Sequence, residues 1–273
     1  IYEVGAGGTL ISKGTMASTA NGNLTDIEAM RTMEIGGQSY LVTTSQTSDH
    51  LTLWNVDPGT GSLSQTSFLS DSASPVLELD DIRGMDVVTT AGGAQYILAA
   101  GGDDGIGSYR VNASGQLESI SSIPDNTALR LDNVDWISSY TTTNGQSFVY
   151  AGGQEGGISV FRLAEDGTLT SVQTWAGGNA NLSDGRPIAA PLGDMRGGQV
   201  LDNGMLAVGS NSQDMTYLFE IDAETGQIYL STATASTNPE GMAAAGGHLI
   251  IGTADGLKSV MPSDQGGFYF RNA

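Results

Sequence analysis

Five charged residues recur at matching places along the chain: Glu28, Arg83, Asp135, Arg196 and Glu240. Each follows an apolar residue or proline, as in Ile27-Glu28, Ile82-Arg83, Val134-Asp135, Met195-Arg196 and Pro239-Glu240, and most precede a small residue and then another apolar one. If the five converge, a carboxylate could serve as general base while an arginine stabilises negative charge growing on an oxygen. The signs alternate in sequence order, so opposite charges would fall on neighbouring repeats. The same residues therefore also suit a channel-lining network in which crowded ions lower one another's cost.

Other chemistries find less support. The chain has no cysteine, which removes disulfide frameworks, thiolate metal sites and cysteine nucleophiles together. No G-x-S-x-G elbow nominates a serine. His50 follows Asp49 in a turn and His248 heads an apolar run after Gly247, both ordinary places for an exposed turn residue. Asp80 and Asp81, with Asp103 and Asp104 in the segment GGDDG, could offer oxygen ligands to Ca²⁺, although neither pair fits the spaced acidic loop of an EF-hand. Calcium is thus allowed, and no cofactor is required. Trp54, Trp136 and Trp175 lie in or at the end of apolar strands, where packing is the expected role, and Met30, Met85 and Met242 read as core filler.

The elements that must position the five charges repeat. An apolar strand, a turn and a second strand recur at 51–70, 106–123, 158–175 and 216–234, and 1–19 has the same pattern with its front missing. Equating Val4, Val56, Val111, Leu163 and Ile221 gives spacings of 52, 55, 52 and 58 residues. Ahead of each complete unit runs a β-branched and aliphatic strand such as SYLVTTS, QYILAAGG, SFVYAGG, MLAVGS or HLIIGT, and each of these is followed by a turn acid: Asp49, Asp104, Glu155, Asp214 or Asp255. The charged strand is the first of four. Four short strands and their turns fill one period, the size of a propeller blade, and no helical period competes.

The fold expected is an all-β propeller of four-stranded blades, spanning 1–273 as a single domain, with inner strands starting near Asp26, Asp81, Asn133, Asp194 and Asn238. Repeats are placed at about 1–20 (partial), 23–71, 79–124, 131–176, 184–235 and 238–273. Five or six are visible, with a larger ring left open, and the two ends of the chain are expected to close the ring by pairing. A glycine count of 39 in 273 agrees with many tight turns.

Segments such as GGISVFRLAEDGTLTSVQ at 156–173 and GIGSYRVNASGQLESIS at 105–121, each preceded by an AGG strand end, resemble the lactonase-type (6-phosphogluconolactonase-like) β-propeller superfamily. The resemblance covers nearly the whole chain at the level of the repeat. Its enzymes imply chemistry at the mouth of the ring, in the region of Glu28, Arg83, Asp135, Arg196 and Glu240. Other propellers of this type belong to large secreted calcium-binding bacterial proteins and imply interaction modules.

Thirty acids against ten bases give a net charge of -20, which excludes nucleic acid as an expected partner. No apolar run is long enough for a spanning helix. The first expectation for function is a non-catalytic extracellular or cell-surface scaffold with a protein partner or self-association. The alternative is a lactonase-like hydrolase acting on a small cyclic ester at the channel mouth.

Overall fold

Asp26, Asp81, Asn133, Asp194 and Asn238 all adopt positive φ, between 46° and 50°, in the computed structural model of the chain. The structure describes every residue except 1, 16–24, 74–76, 103–104, 177, 182–186, 191, 246, 263–267 and 271–273. Aspartate and asparagine enter this left-handed region more readily than other non-glycine residues because their short polar side chains bond locally. Here each of them leads the chain into the innermost strand of a four-stranded antiparallel sheet.

Five such sheets follow in order. Blade 1 comprises Ile27–Ile35, Gln38–Ser45, His50–Val56 and Leu63–Ser70; blade 2, Gly84–Thr89, Gln95–Ala100, Gly105–Val111 and Leu117–Pro124; blade 3, Val134–Thr141, Ser147–Gly153, Ile158–Leu163 and Leu169–Trp175. Blade 4 comprises Met195–Val200, Met205–Ser210, Met215–Ile221 and Ile228–Ala235; blade 5, Gly241–Ala245, His248–Thr253, Gly256–Pro262 and Phe268–Phe270. In every blade the strands are consecutive in sequence, inner to outer. The protein is a β-propeller of five complete blades.

Two expectations are corrected. The front-less repeat at the start is a separate hairpin, Tyr2–Val4 pairing with Leu10–Ser12. It does not join blade 5, whose fourth strand is supplied locally by Phe268–Phe270, so closure by pairing of distant strands is not seen among the described residues. The repeat placed from 184 becomes a blade only at Met195, because Pro187–Ala190 pairs instead with Gly178–Asn181.

The core lies between successive blades, where alternate strand residues of one sheet meet those of the next. Val42, Leu53, Ile97 and Tyr109 fill the space between blades 1 and 2. Leu98, Val149 and Phe161 do so between blades 2 and 3, Trp136, Phe148, Val208 and Phe219 between 3 and 4, and Leu218, Leu249 and Ile251 between 4 and 5. Each such side chain contributes on the order of 1.5–3 kcal/mol by leaving water. Trp54 and Trp136 are buried, and Trp175 meets Phe219 edge to face at 5.1 Å.

The turn acids reach beyond their own turns. Asp49 Oδ1 accepts the backbone N–H of Asp81 at 3.1 Å, and Asp214 Oδ1 accepts that of Asn238 at 2.8 Å. Each carboxylate thereby clasps the left-handed residue that opens the next blade. The inner strands of blades 2 and 5 are held in place by this contact as well as by their own sheets.

Candidate functional site at the axial mouth

The carbonyl of the left-handed residue accepts a hydrogen bond from the residue just past the second strand in three blades. Gln46 N reaches Asp26 O at 3.0 Å, Gln154 N reaches Asn133 O at 3.1 Å, and Asn211 N reaches Asp194 O at 2.9 Å. Three carboxamides are thus brought beside the inner-strand charges. In blades 2 and 5 Gly102 N and Ala254 N donate instead to Asp80 O and Thr237 O, one residue before the left-handed Asp81 and Asn238, and neither has a polar side chain to offer.

Glu28, Arg83, Asp135, Arg196 and Glu240 line one solvent-open cavity of about 770 Å³ with Gln46, Gln154 and Asn211. A narrower cavity of about 280 Å³ is lined by residues of all five inner strands. The sequence pointed to the five charges through their shared register. It did not point to the carboxamides, although their common position after the second strand was a usable signal.

Asp135 holds the centre of the arrangement. Its side chain is 8% exposed. Its Oδ1 accepts from Arg83 Nη1 at 3.3 Å, while its Oδ2 lies 3.5 Å from Arg196 Nη1 and has no well-formed hydrogen bond. Arg83 Nη2 also donates to Asp81 Oδ2 at 2.5 Å, and Arg196 Nε pairs with Asp194 Oδ1 at 2.7 Å. Acids and arginines therefore alternate through Asp81, Arg83, Asp135, Arg196 and Asp194. Glu28 and Glu240 are exposed on the first and last blades, and neither is paired with a cation among the described residues.

Burial pushes the Asp135 carboxyl above the usual aspartate range, and Arg196, Arg83 and Gln154 only partly draw it back. Burial would lower Arg83, but Asp81 and Asp135 outweigh it and hold the guanidinium above its ordinary value. Such a site pairs a carboxylate of raised proton affinity with fixed positive charge. Proton abstraction beside a developing oxyanion is within its means.

The remaining candidates lie elsewhere. His50 heads the third strand of blade 1 rather than an exposed turn, sits edge to face with Phe68 at 5.2 Å, and is lowered by burial, with Asp49 opposing. His248 Nδ1 is 3.1 Å from Ser259 Oγ. Neither lines the mouth. Of the residues considered for calcium, Asp81 is engaged by Arg83 and Asp80 O accepts from Gly102 N, while Asp103 and Asp104 lie outside the described residues. No group of three or more metal-binding side chains gathers among the described residues.

No family model and no curated protein matches the chain. Solved structures do. A candidate 6-phosphogluconolactonase from Bacteroides uniformis matches with a TM-score of 0.61 at 15% identity, over 88% of this chain and 68% of its own. The fold that these structures share with the chain is the β-propeller. A functionally unknown protein from Desulfotomaculum acetoxidans gives a TM-score of 0.66 at 13% identity, over 92% of this chain and 70% of its own. A catalytically inactive virginiamycin B lyase from Staphylococcus aureus, solved with quinupristin, gives 0.59 at 12% identity, over 98% and 75%. At these identities the likeness concerns architecture, and the activity has to be argued from the mouth itself.

Proposed function

We propose that this propeller is a lactonase-like hydrolase that opens a small cyclic ester at its axial mouth. The observation that carries the reading is Asp135, a carboxylate 8% exposed that lines an open cavity, raised by burial and flanked by two guanidiniums. The Asp135 carboxylate takes a proton from water as the water oxygen bonds to the ester carbonyl carbon. Arg83 and Arg196 stabilise the charge that collects on the carbonyl oxygen. The ring C–O bond then breaks, the proton passes from Asp135 to the leaving oxygen, and an open-chain hydroxy acid results. General-base assistance of this kind is worth roughly 10²–10⁴-fold.

Asp135→Asn tests the reading, with kcat/KM on a panel of cyclic esters expected to fall by at least about 100-fold. The variant leaves two arginines beside a neutral amide, so its folding is monitored by circular dichroism, and the pH profile of the unchanged protein supplies a second measurement. Only ionised Asp135 accepts the proton, so kcat/KM should decline as pH falls through a pKa above that of an ordinary aspartate, the direction set by burial. Full activity in a folded Asp135→Asn variant would reject the assignment, as would failure to open any cyclic ester.

A second reading, an extracellular scaffold or interaction module, is supported by the exposed hairpin that bears Tyr2, Val4, Leu10 and Ile11 at 64, 70, 64 and 45% exposure. Light scattering would show concentration-dependent association weakened by Leu10→Asp in that case.

A further inference from the structure

We infer that the mouth turns away anions, so that the ester it opens is an uncharged polyhydroxy ring lacking a phosphate. The inference rests on the lactonase reading of this cavity and adds the charge of the substrate. Its starting point is the distribution of partners. Asp81 and Asp135 hold Arg83 between them, and Asp135 and Asp194 hold Arg196. A phosphate is bound tightly where cationic charge is in excess. Here each guanidinium is outnumbered by the two carboxylates beside it, while N–H groups outside those pairs remain on both to meet a carbonyl oxygen.

Glu28 and Glu240 then add two carboxylates with no cation opposite them among the described residues. The mouth therefore carries five carboxylates against two guanidiniums, and the whole chain, at -20, contributes a field of the same sign. The other donors in the cavity are the carboxamides of Gln46, Gln154 and Asn211, each able to give and accept a hydrogen bond. They suit the hydroxyls of a polyol, which need both.

The Asp135 carboxylate separates this arrangement from a merely acidic surface. Its side chain is 8% exposed and lines the cavity, where a neutral hydroxyl or water can approach it, whereas a phosphate oxygen would meet it with like charge. The chemistry reinforces the selection after turnover. Opening the ring creates a carboxylate that the substrate lacked, so the field that admits the uncharged ester favours departure of the acid.

The experiment compares D-glucono-lactone with its 6-phosphate. The expected result at low salt is a kcat/KM at least about tenfold higher for the unphosphorylated ester. That ratio should shrink as about 1 M salt screens the mouth, and should shrink again in the double variant Glu28→Gln, Glu240→Gln. A preference for the phosphate ester, or a ratio indifferent to both salt and the double variant, would overturn the inference while leaving the lactonase reading in place. Should neither of these lactones nor any other cyclic ester be opened, that reading fails. The charge selection is then decided by calorimetric binding of glucitol and glucitol 6-phosphate: tighter binding of glucitol supports it, and tighter binding of the phosphate or binding of neither overturns it.

Discussion

Gly84, Gly197 and Gly241 occupy the same place in three inner strands, immediately after the mouth-lining charge, yet their surroundings differ. A methyl group on Gly84 would lie 3.1 Å from Trp136 and Ile137 of blade 3, and one on Gly197 would lie 2.8 Å from the Glu240 carbonyl of blade 5. On Gly241 it would meet nothing within 4 Å. The next residue along shows the converse asymmetry. Met85 is 2% exposed against blade 1, and Met242 packs on the cluster shared with blade 4, but Met30, expected in the core, is 56% exposed. One face of each inner strand turns to the preceding blade and the other to the following blade. The inner strands of blades 2 to 4 are thus covered on both faces, while Met30 on blade 1 and Gly241 on blade 5 lie on faces with no comparable cover among the described residues. Identical positions in a repeat are equivalent only where both neighbours are present.

Three pairs of substitutions test that contrast, beginning with the largest effect. Phe161→Ala removes a fully buried ring between blades 2 and 3 and should cost about 3–5 kcal/mol. Met30→Ala should stay within about 0.5 kcal/mol, since the side chain is mostly in water. Both values follow from denaturant midpoints at constant m, and a Met30→Ala loss approaching that of Phe161→Ala would show that blade 1 is covered in solution.

Gly197→Ala forces a methyl group against backbone that cannot yield cheaply, for a loss of about 1–3 kcal/mol. Gly241→Ala has open space and should be neutral or slightly stabilising, by up to about 1 kcal/mol through the unfolded chain. Equal losses at the two sites, measured by thermal melts, would remove the distinction.

The smallest pair concerns the clasps. Asp49→Ala leaves the Asp81 N–H without its acceptor and should cost about 1–2 kcal/mol, with faster amide exchange at the head of blade 2. Asp255 stands in the corresponding turn of blade 5 but clasps no residue among those described, so Asp255→Ala should change stability by less than about 0.5 kcal/mol. A comparable loss at Asp255 would reveal a partner for it in solution.

Much of this molecule is written locally. The strand pattern repeats at a short period, the Asp or Asn before each inner strand suits left-handed backbone, and the charge two residues later arrives at the mouth in every blade because the same local turn delivers it. Those features depend on a few consecutive residues, and the sequence sufficed to find them. What it could not rank were the five charges against one another. Glu28, Asp135 and Glu240 are alike in register, yet only Asp135 has an arginine on each flanking blade to draw it into a network and two packed sheets to take it out of water. Nor did the pattern announce Gln46, Gln154 and Asn211, which reach the cavity through a backbone hydrogen bond to a residue some twenty positions earlier. Burial and proton affinity are set by what stands opposite in space, and that is a property of neighbouring blades rather than of any one repeat.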